Sequence, residues 1–201
     1  PFKTMFFHGM LRDLEGRKFS KSLGNGIDPK YLIESWGIDA TRMALYTYAI
    51  PGRDGRVSKQ SLDERGKNFR NFGTKLRNIS RFIYELKPRA VVEHKTDHAD
   101  DKKIIKRLKD VERRVTKYIE NMELHLAVEV LYEFVWHEFA DSYIEGSKNR
   151  RANAQKTLEE VFGNILVLLH PFMPFITEEL YQEHIKVYDS IMQEPWPVTN
   201  S

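Results

Sequence analysis

At 201 residues the chain is long enough for one large or two small domains with a real core. It has no cysteine, so disulfides and thiolate metal sites are excluded, a composition compatible with the cytoplasm; no stretch approaches the roughly 18 consecutive apolar residues of a membrane helix. The net charge of +3 is unevenly spread, with 19 Lys+Arg against 11 Asp+Glu in residues 1–99 and 13 against 18 in residues 100–201.

Thr4 to Leu11 (TMFFHGML) has the β-branched and aromatic bias of a short buried strand. Pro1 is not an initiator, and a core-like strand follows it at once, so a piece of a longer chain is expected. Arg17 to Gly26 (RKFSKSLGNG) then lacks the periodicity of helix or strand. The ammoniums of Lys18 and Lys21 and the hydroxyls of Ser20 and Ser22 suit phosphate oxygens, with Phe19 between them and glycines that let the loop change shape. Asp28-Pro29 reads as an N-cap followed by proline at the first helical position, opening a helix to Trp36 that Gly37 closes. The order strand, basic loop, helix is where open α/β folds bind anions. Asp39 reads as the N-cap of a second helix, Ala40 to Ala49. Turn residues from Pro51 to Gly55 mark a break, dividing the chain into 1–52 and 53–201.

Ser58 is a plausible N-cap for a long helix from Lys59 to about Leu86, with Leu62, Phe69, Phe72, Leu76, Ile79 and Ile83 on one face. The phenylalanines lie on that stripe and read as core. The other face carries Arg65, Lys67, Arg70, Lys75, Arg77 and Arg81, a surface suited to phosphates. In the polar linker 87–100, His94 and His98 have i, i+4 spacing but no convincing third ligand; they read as solvated, with no structural zinc. Three further amphipathic helices are predicted over Asp101–Asn121, Leu126–Ser147 and Lys156–His170, and a last one from Pro174 to about Ile185. Short connections make an antiparallel bundle the natural packing. Glu138, Asp141 and Glu145 lack a histidine, serine or metal set to complete a catalytic site and read as surface charges.

His8-Gly9, Arg12-Asp13, Gly16-Arg17, the KFSKS loop, Leu23-Gly24-Asn25 and Ile27-Asp28-Pro29 together resemble the K-M-S-K-S region of class I aminoacyl-tRNA synthetases, with Phe19 in place of the usual methionine. Gly37 to Arg42 (GIDATR) resembles the family's G-A-D-A-[LT]-R segment. The helix Asn68 to Phe82, the segment Leu131 to Tyr143, His170 to Glu179 (HPFMPFITEE) and Pro195-Trp196-Pro197 lean toward the valyl branch. Residues 8 to 197 carry the resemblance.

The resemblance implies a mainly α chain: the end of a Rossmann-type catalytic domain with connector helices over 1–52, then an antiparallel anticodon-binding bundle over 53–201. It implies a parent ligase that activates valine with ATP and Mg²⁺ and transfers it to tRNA. Lys21 and Lys18 take the catalytic role, and Phe19, Ser20 and Ser22 join them in holding ATP. For tRNA, the basic face of the long helix offers Arg70, Lys75, Arg77 and Arg81 at phosphates. Asn68, Asn71 and Asn78 are the candidates at bases, with interhelical hydrogen bonding as their competing role. No His-x-Gly-His tetrapeptide is present, so this stretch is expected to be inactive alone. An isoleucyl, leucyl or methionyl relative, or a helical protein-interaction module, remains the alternative. The first is distinguished by the upstream amino-acid pocket, the second by the lack of salt-dependent RNA binding.

Overall fold

The computed structural model describes residues 1–86 and 98–197; His94 lies outside them. Most of the described chain is helical. Helix α1 (Pro29–Trp36) and α2 (Ile38–Tyr46) form an elbow at Gly37, whose φ of 85° is left-handed and natural only for glycine. The bundle follows with α3 (Lys59–Ser80), α4 (Ala99–Glu120), α5 (Leu124–Glu133), a π-helical segment (Phe134–Ile144), α6 (Glu145–Ser147), α7 (Arg151–Leu169) and α8 (Pro174–His184).

Local chemistry explains most of these boundaries. The Asp28 carboxylate accepts from the Lys30 N–H at 2.9 Å and starts α1. Ser58 and Ser61 exchange reciprocal bonds of 3.0 Å and start α3. His98 caps α4 by accepting from the Asp100 N–H at 3.3 Å. The predicted stripe of α3 is buried throughout, from Leu62 to Ile83. From Phe69 onward it enters one core with Leu108, Val115, Leu131, Phe139, Phe162 and Leu180 from the other bundle helices, while Leu62 joins a smaller core with Leu32 and Val57.

The predicted helix Leu126–Ser147 starts at Leu124 and contains the π-helical segment Phe134–Ile144, and α7 starts at Arg151 rather than Lys156. Four further details depart from expectation. The helix predicted to reach Leu86 leaves α geometry at Ser80, because Arg81–Glu85 winds as a wider π turn. The last carbonyls of a helix have no partner within it. Arg151 donates to the Phe82 carbonyl, and the Gln155 side chain donates to that of Ile83 at 2.9 Å. The second helix ends at Tyr46 rather than Ala49. Asp39 does not cap that helix; its carboxylate instead accepts from the Ile176 and Phe175 N–H groups at 2.7 and 3.3 Å, capping α8 across the molecule. Finally, Thr4–Leu11 is not a buried strand. Its only strand is Leu11–Arg12 (β1), continuing past the predicted end and parallel to Gly55–Arg56 (β2); His8 makes an isolated antiparallel bridge to Pro51, and Phe2, Met5, Phe6 and Phe7 are exposed. The residue bias is that of a sheet interior, but those side chains find no covering layer among the described residues.

Close packing of α1 on α3 depends on one glycine. A Cβ on Gly66 would lie 2.6 Å from the Trp36 ring, whose indole N–H donates to Asp63 at 2.9 Å and is thereby held. Gly66→Ala is therefore expected to destabilise the chain by about 1–3 kcal/mol despite alanine's better helix propensity. A chemical-denaturation midpoint equal to or above wild type would contradict this packing.

Candidate functional site

The basic loop is built around a buried carboxylate. Asp13, at the end of β1, accepts from the Arg17 backbone at 2.7 Å, from the Arg17 guanidinium at 2.8 Å and from the Asn25 amide at 2.9 Å. Burial pushes this carboxyl up, but the hydrogen bonds from Asn25 and Arg17 together outweigh it and hold the pKa at about 2. Asn25 also accepts from the Ser20 N–H at 2.9 Å, so one amide ties both ends of the loop together. Inside it, the Ser20 and Ser22 hydroxyls are 2.7 Å apart, and Gly24 turns the chain with a φ of 61°.

Phe19 points the other way. It packs with Leu11, Ile27, Tyr31 and Tyr48 against the small core of Leu32, Val57 and Leu62. An apolar anchor thus separates two exposed lysines, Lys18 and Lys21, and neither enters an ion pair among the described residues. An open cleft of about 520 Å³ beneath the loop is lined by Phe19, Tyr31 and Val57 but also by Asp13, Glu15 and Asp28. Its charge is wrong for a polyphosphate, and neither lysine lines it. Asp13 and Asn25 are the residues that a reading of the sequence missed as loop organisers. Their signal is slight: a polar pair flanking a Lys/Ser run at a separation that no helix or strand period explains.

The charged face of α3 is less free than its sequence suggests. Arg77 makes a two-pronged pair with Glu179 of α8, with Nη2 2.7 Å from Oε2, and holds that carboxyl below its ordinary range. Lys75 pairs with Asp141 at 2.7 Å, and Arg81 with Glu85 at 3.2 Å. The guanidinium of Arg65 lies 4.8 Å over the Tyr48 ring, and Arg70 reaches the Ser35 carbonyl at 3.4 Å. Lys67 is exposed and unpaired. Asn68, Asn71 and Asn78 are exposed and make no side-chain hydrogen bond among the described residues. Glu138 is clamped by Arg107, at 2.7 and 2.8 Å, and Glu145 by Lys148.

Two sequence motifs far apart in the chain meet in space. Arg42 of GIDATR donates to the Pro171 and Phe172 carbonyls at 2.9 and 3.2 Å, while Asp39 caps α8. Within HPFMPFITEE, Thr177 donates to the Met173 carbonyl at 2.8 Å and pairs with the His170 ring at 2.8 Å. Glu178 accepts from the Ser190 hydroxyl at 2.8 Å and Glu179 holds Arg77. Burial pushes the His170 pKa down and that of Asp39 up, the latter against the two N–H donors. Trp196 donates to the Thr116 hydroxyl at 2.8 Å, fastening the chain after α8 onto α4. These motifs build the scaffold that fixes the loop's end of the molecule to the bundle.

Residues 1–58 match the family described as tRNA synthetases class I (I, L, M and V), and residues 101–201 match the anticodon-binding domain of tRNA ligase. The valine–tRNA ligase of Carboxydothermus hydrogenoformans is 42% identical over 98% of this chain, and that of Symbiobacterium thermophilum 41% over 91%. The chain spans only 23% and 21% of those relatives' lengths. A solved ternary complex of an Agrobacterium radiobacter LeuRS with tRNA and LeuAMS superposes with a TM-score of 0.76 at 23% identity, over 96% of this chain and 23% of that one. Mycobacterium tuberculosis methionyl-tRNA synthetase, solved with methionyl-adenylate, gives 0.66 at 22% identity, over 86% of this chain and 36% of that one. At those identities the two structures establish the fold, mainly α with a fragment of parallel sheet. With half its length matched by the anticodon-binding-domain family of tRNA ligases, the chain belongs to that family; its opening residues match the class I tRNA synthetases, and it is similar to valine–tRNA ligases along nearly its whole length.

Proposed function

We propose that this chain supplies the nucleotide loop and the anticodon-binding bundle of a valine–tRNA ligase acting in the cytoplasm, with the division near residues 52–53. The observation that carries the reading is the loop itself: two unpaired lysines and two hydroxyls displayed between an apolar anchor, Phe19, and a polar tie, Asp13–Asn25. The donor set fits a nucleotide triphosphate. Attack of an amino-acid carboxylate on the α-phosphate leaves negative charge on the departing pyrophosphate, and preplaced ammoniums lower the barrier when they meet that charge more strongly in the transition state than before it. Lys21 is assigned first to this role and Lys18 second, with Ser20 and Ser22 donating to phosphate oxygens. Mg²⁺ enters as the nucleotide's counter-ion. Valine and the tRNA 3′ end are bound by the rest of the enzyme.

The bundle's task is tRNA binding. Anticodon-loop bases are unstacked and are read by stacking and by hydrogen bonds to their edges, whereas the stem offers phosphates. Asn68, Asn71 and Asn78 have free amides for bases; Arg70, Lys75, Arg77 and Arg81 are cations for the backbone, three of them already paired within the protein. The test is a binding titration of the enzyme with valine-accepting and mismatched tRNAs. Asn78→Ala is expected to reduce the preference for the cognate tRNA by roughly two- to tenfold, the equivalent of one hydrogen bond of about 0.5–1.5 kcal/mol. An unchanged preference removes Asn78 from base reading.

A further inference from the structure

We propose that Asp13 and Asn25 are positioning residues for adenylate formation: the Asn25 amide clamps the backbone on both sides of Phe19 and so sets where Lys21 meets the nucleotide's phosphates. The proposal rests on the nucleotide-loop reading above and names the part of the loop that aims it.

Every polar atom of the Asn25 side chain is engaged. Its oxygen accepts from the Ser20 N–H at 2.9 Å, while its nitrogen donates to the Lys18 carbonyl at 3.3 Å and to Asp13 at 2.9 Å. One planar group thus grips the main chain just before and just after Phe19, in place of a neighbouring strand. Phe19 itself is seated in the small core, so the gripped stretch is held from two sides.

Beyond the grip, Ser20 to Gly24 is a turn closed by its own bonds. The Leu23 and Gly24 N–H groups donate to the Ser20 and Lys21 carbonyls, both at 3.2 Å, and the Ser22 N–H donates to the Ser20 hydroxyl at 3.2 Å. Lys21, Ser22, Leu23 and Gly24 are exposed, and a Cβ on Gly24 would meet nothing within 4 Å. The turn is therefore open to solvent. Among the described residues, its one hydrogen bond to the rest of the chain runs from Ser20 to Asn25.

Asp13 is the fixed reference. It follows β1 directly, is only 7% exposed, and holds the Arg17 backbone and guanidinium as well as Asn25. Its own N–H donates to the Arg17 carbonyl at 3.0 Å, so Lys18 leaves from a closed turn. Both lysines are thus referred to one carboxylate, Lys18 through Arg17 and Lys21 through Asn25. Aim matters here because an ammonium lowers the barrier only if it stands where charge develops on the pyrophosphate, and a displacement of about 1 Å can cost on the order of a hundredfold.

The test measures ATP–pyrophosphate exchange by a full-length valine–tRNA ligase carrying this segment, together with hydrogen exchange of the loop, residues 17–26, without nucleotide. Asn25→Ala is expected to lower kcat roughly ten- to hundredfold while the KM for ATP moves less than about threefold, the pattern of lost aim rather than lost binding. Loop amides should exchange faster in Asn25→Ala and at the wild-type rate in Lys21→Ala. Asn25→Asp should be slower in catalysis than Asn25→Ala, because two carboxylates would then face each other across the present 2.9 Å. Adding Asp13→Asn restores a donor and an acceptor with their direction reversed, and is expected to recover at least about tenfold of that loss. Circular dichroism confirms that each variant is folded. If Asn25→Ala turns over like wild type, or raises the KM at unchanged kcat, the positioning role is overturned. It is overturned equally if Asp13→Asn deepens the loss in Asn25→Asp instead of relieving it. In those cases a slow Lys21→Ala enzyme leaves the nucleotide-loop reading standing. If Lys21→Ala is as fast as wild type, that reading fails and this proposal fails with it.

Discussion

In a full-length valine–tRNA ligase carrying this segment, Lys21→Ala is expected to slow adenylate formation by roughly 30- to 1,000-fold while tRNA affinity stays near wild type. The loss corresponds to about 2–4 kcal/mol of transition-state stabilisation, the usual cost of removing one donor aimed at developing charge. The loop's construction makes the effect specific. Lys21 is exposed and makes no ion pair within the described chain, and the Asp13–Asn25 tie and the Phe19 anchor do not use its side chain. Removing it leaves the loop's own bonds in place. ATP–pyrophosphate exchange reads the step directly, and exchange at the wild-type rate would remove Lys21 from the chemistry. Asn25→Ala is a useful companion, because it disturbs the position of both lysines without touching either charge.

The largest stability effect is expected at Phe72. Its ring is fully buried, 5.1 Å from the Tyr132 ring and 6.3 Å from that of Trp136, where α3 meets the end of α5 and the π-helical segment. Phe72→Ala removes transfer energy and leaves a cavity between two aromatic neighbours that cannot collapse without unstacking from each other, at 5.5 Å. The expected cost is about 3–5 kcal/mol. Against a typical total of about 5–15 kcal/mol, that is enough to unfold a marginal chain. Asn71→Ala, one residue away and exposed, should be nearly neutral. Urea melts followed by helical circular dichroism would separate the two; a Phe72→Ala loss below about 1 kcal/mol would mean that the core repacks far more freely than its aromatic contacts imply.

Much of the fold was legible because its signals are local. Ser58, Asp28 and Gly37 act where turn and cap chemistry put them, and the three-and-four spacing on α3 is the spacing of its buried face. The misreadings share a cause. Asp39 stands before an apolar run, as a cap should, but its acceptors serve a helix far along the chain, and nothing local encodes that. The terminal carbonyls of the π turn at Arg81–Glu85 are met by Arg151 and Gln155, about seventy residues on, and nothing local encodes that meeting. Thr4–Leu11 has the composition of a sheet interior, and composition carries no information about whether a covering layer exists. The loop's lysines were visible as a motif, whereas the Asp13–Asn25 tie that shapes it was not. On α3 the sequence shows the charges, but only the folded chain shows that Lys75, Arg77 and Arg81 already have partners.

The bond from the Ile176 amide to Asp39 joins residues 137 positions apart, and those from Arg42 to Pro171 and Phe172 close loops of similar size. A ribosome adding about 5–20 residues per second needs roughly 7–27 s to make the intervening chain. For that time α1 and α2 can lean on α3 and, once it is made, on α5, but the bonds from Asp39 and Arg42 that lock the elbow to the α7–α8 turn cannot form. Within this segment assembly is therefore ordered by synthesis: the basic loop emerges before the bundle, the bundle grows beside it, and the residues around Met173 join the two last. The stretch made before the bundle is thus among the last to be fastened to it.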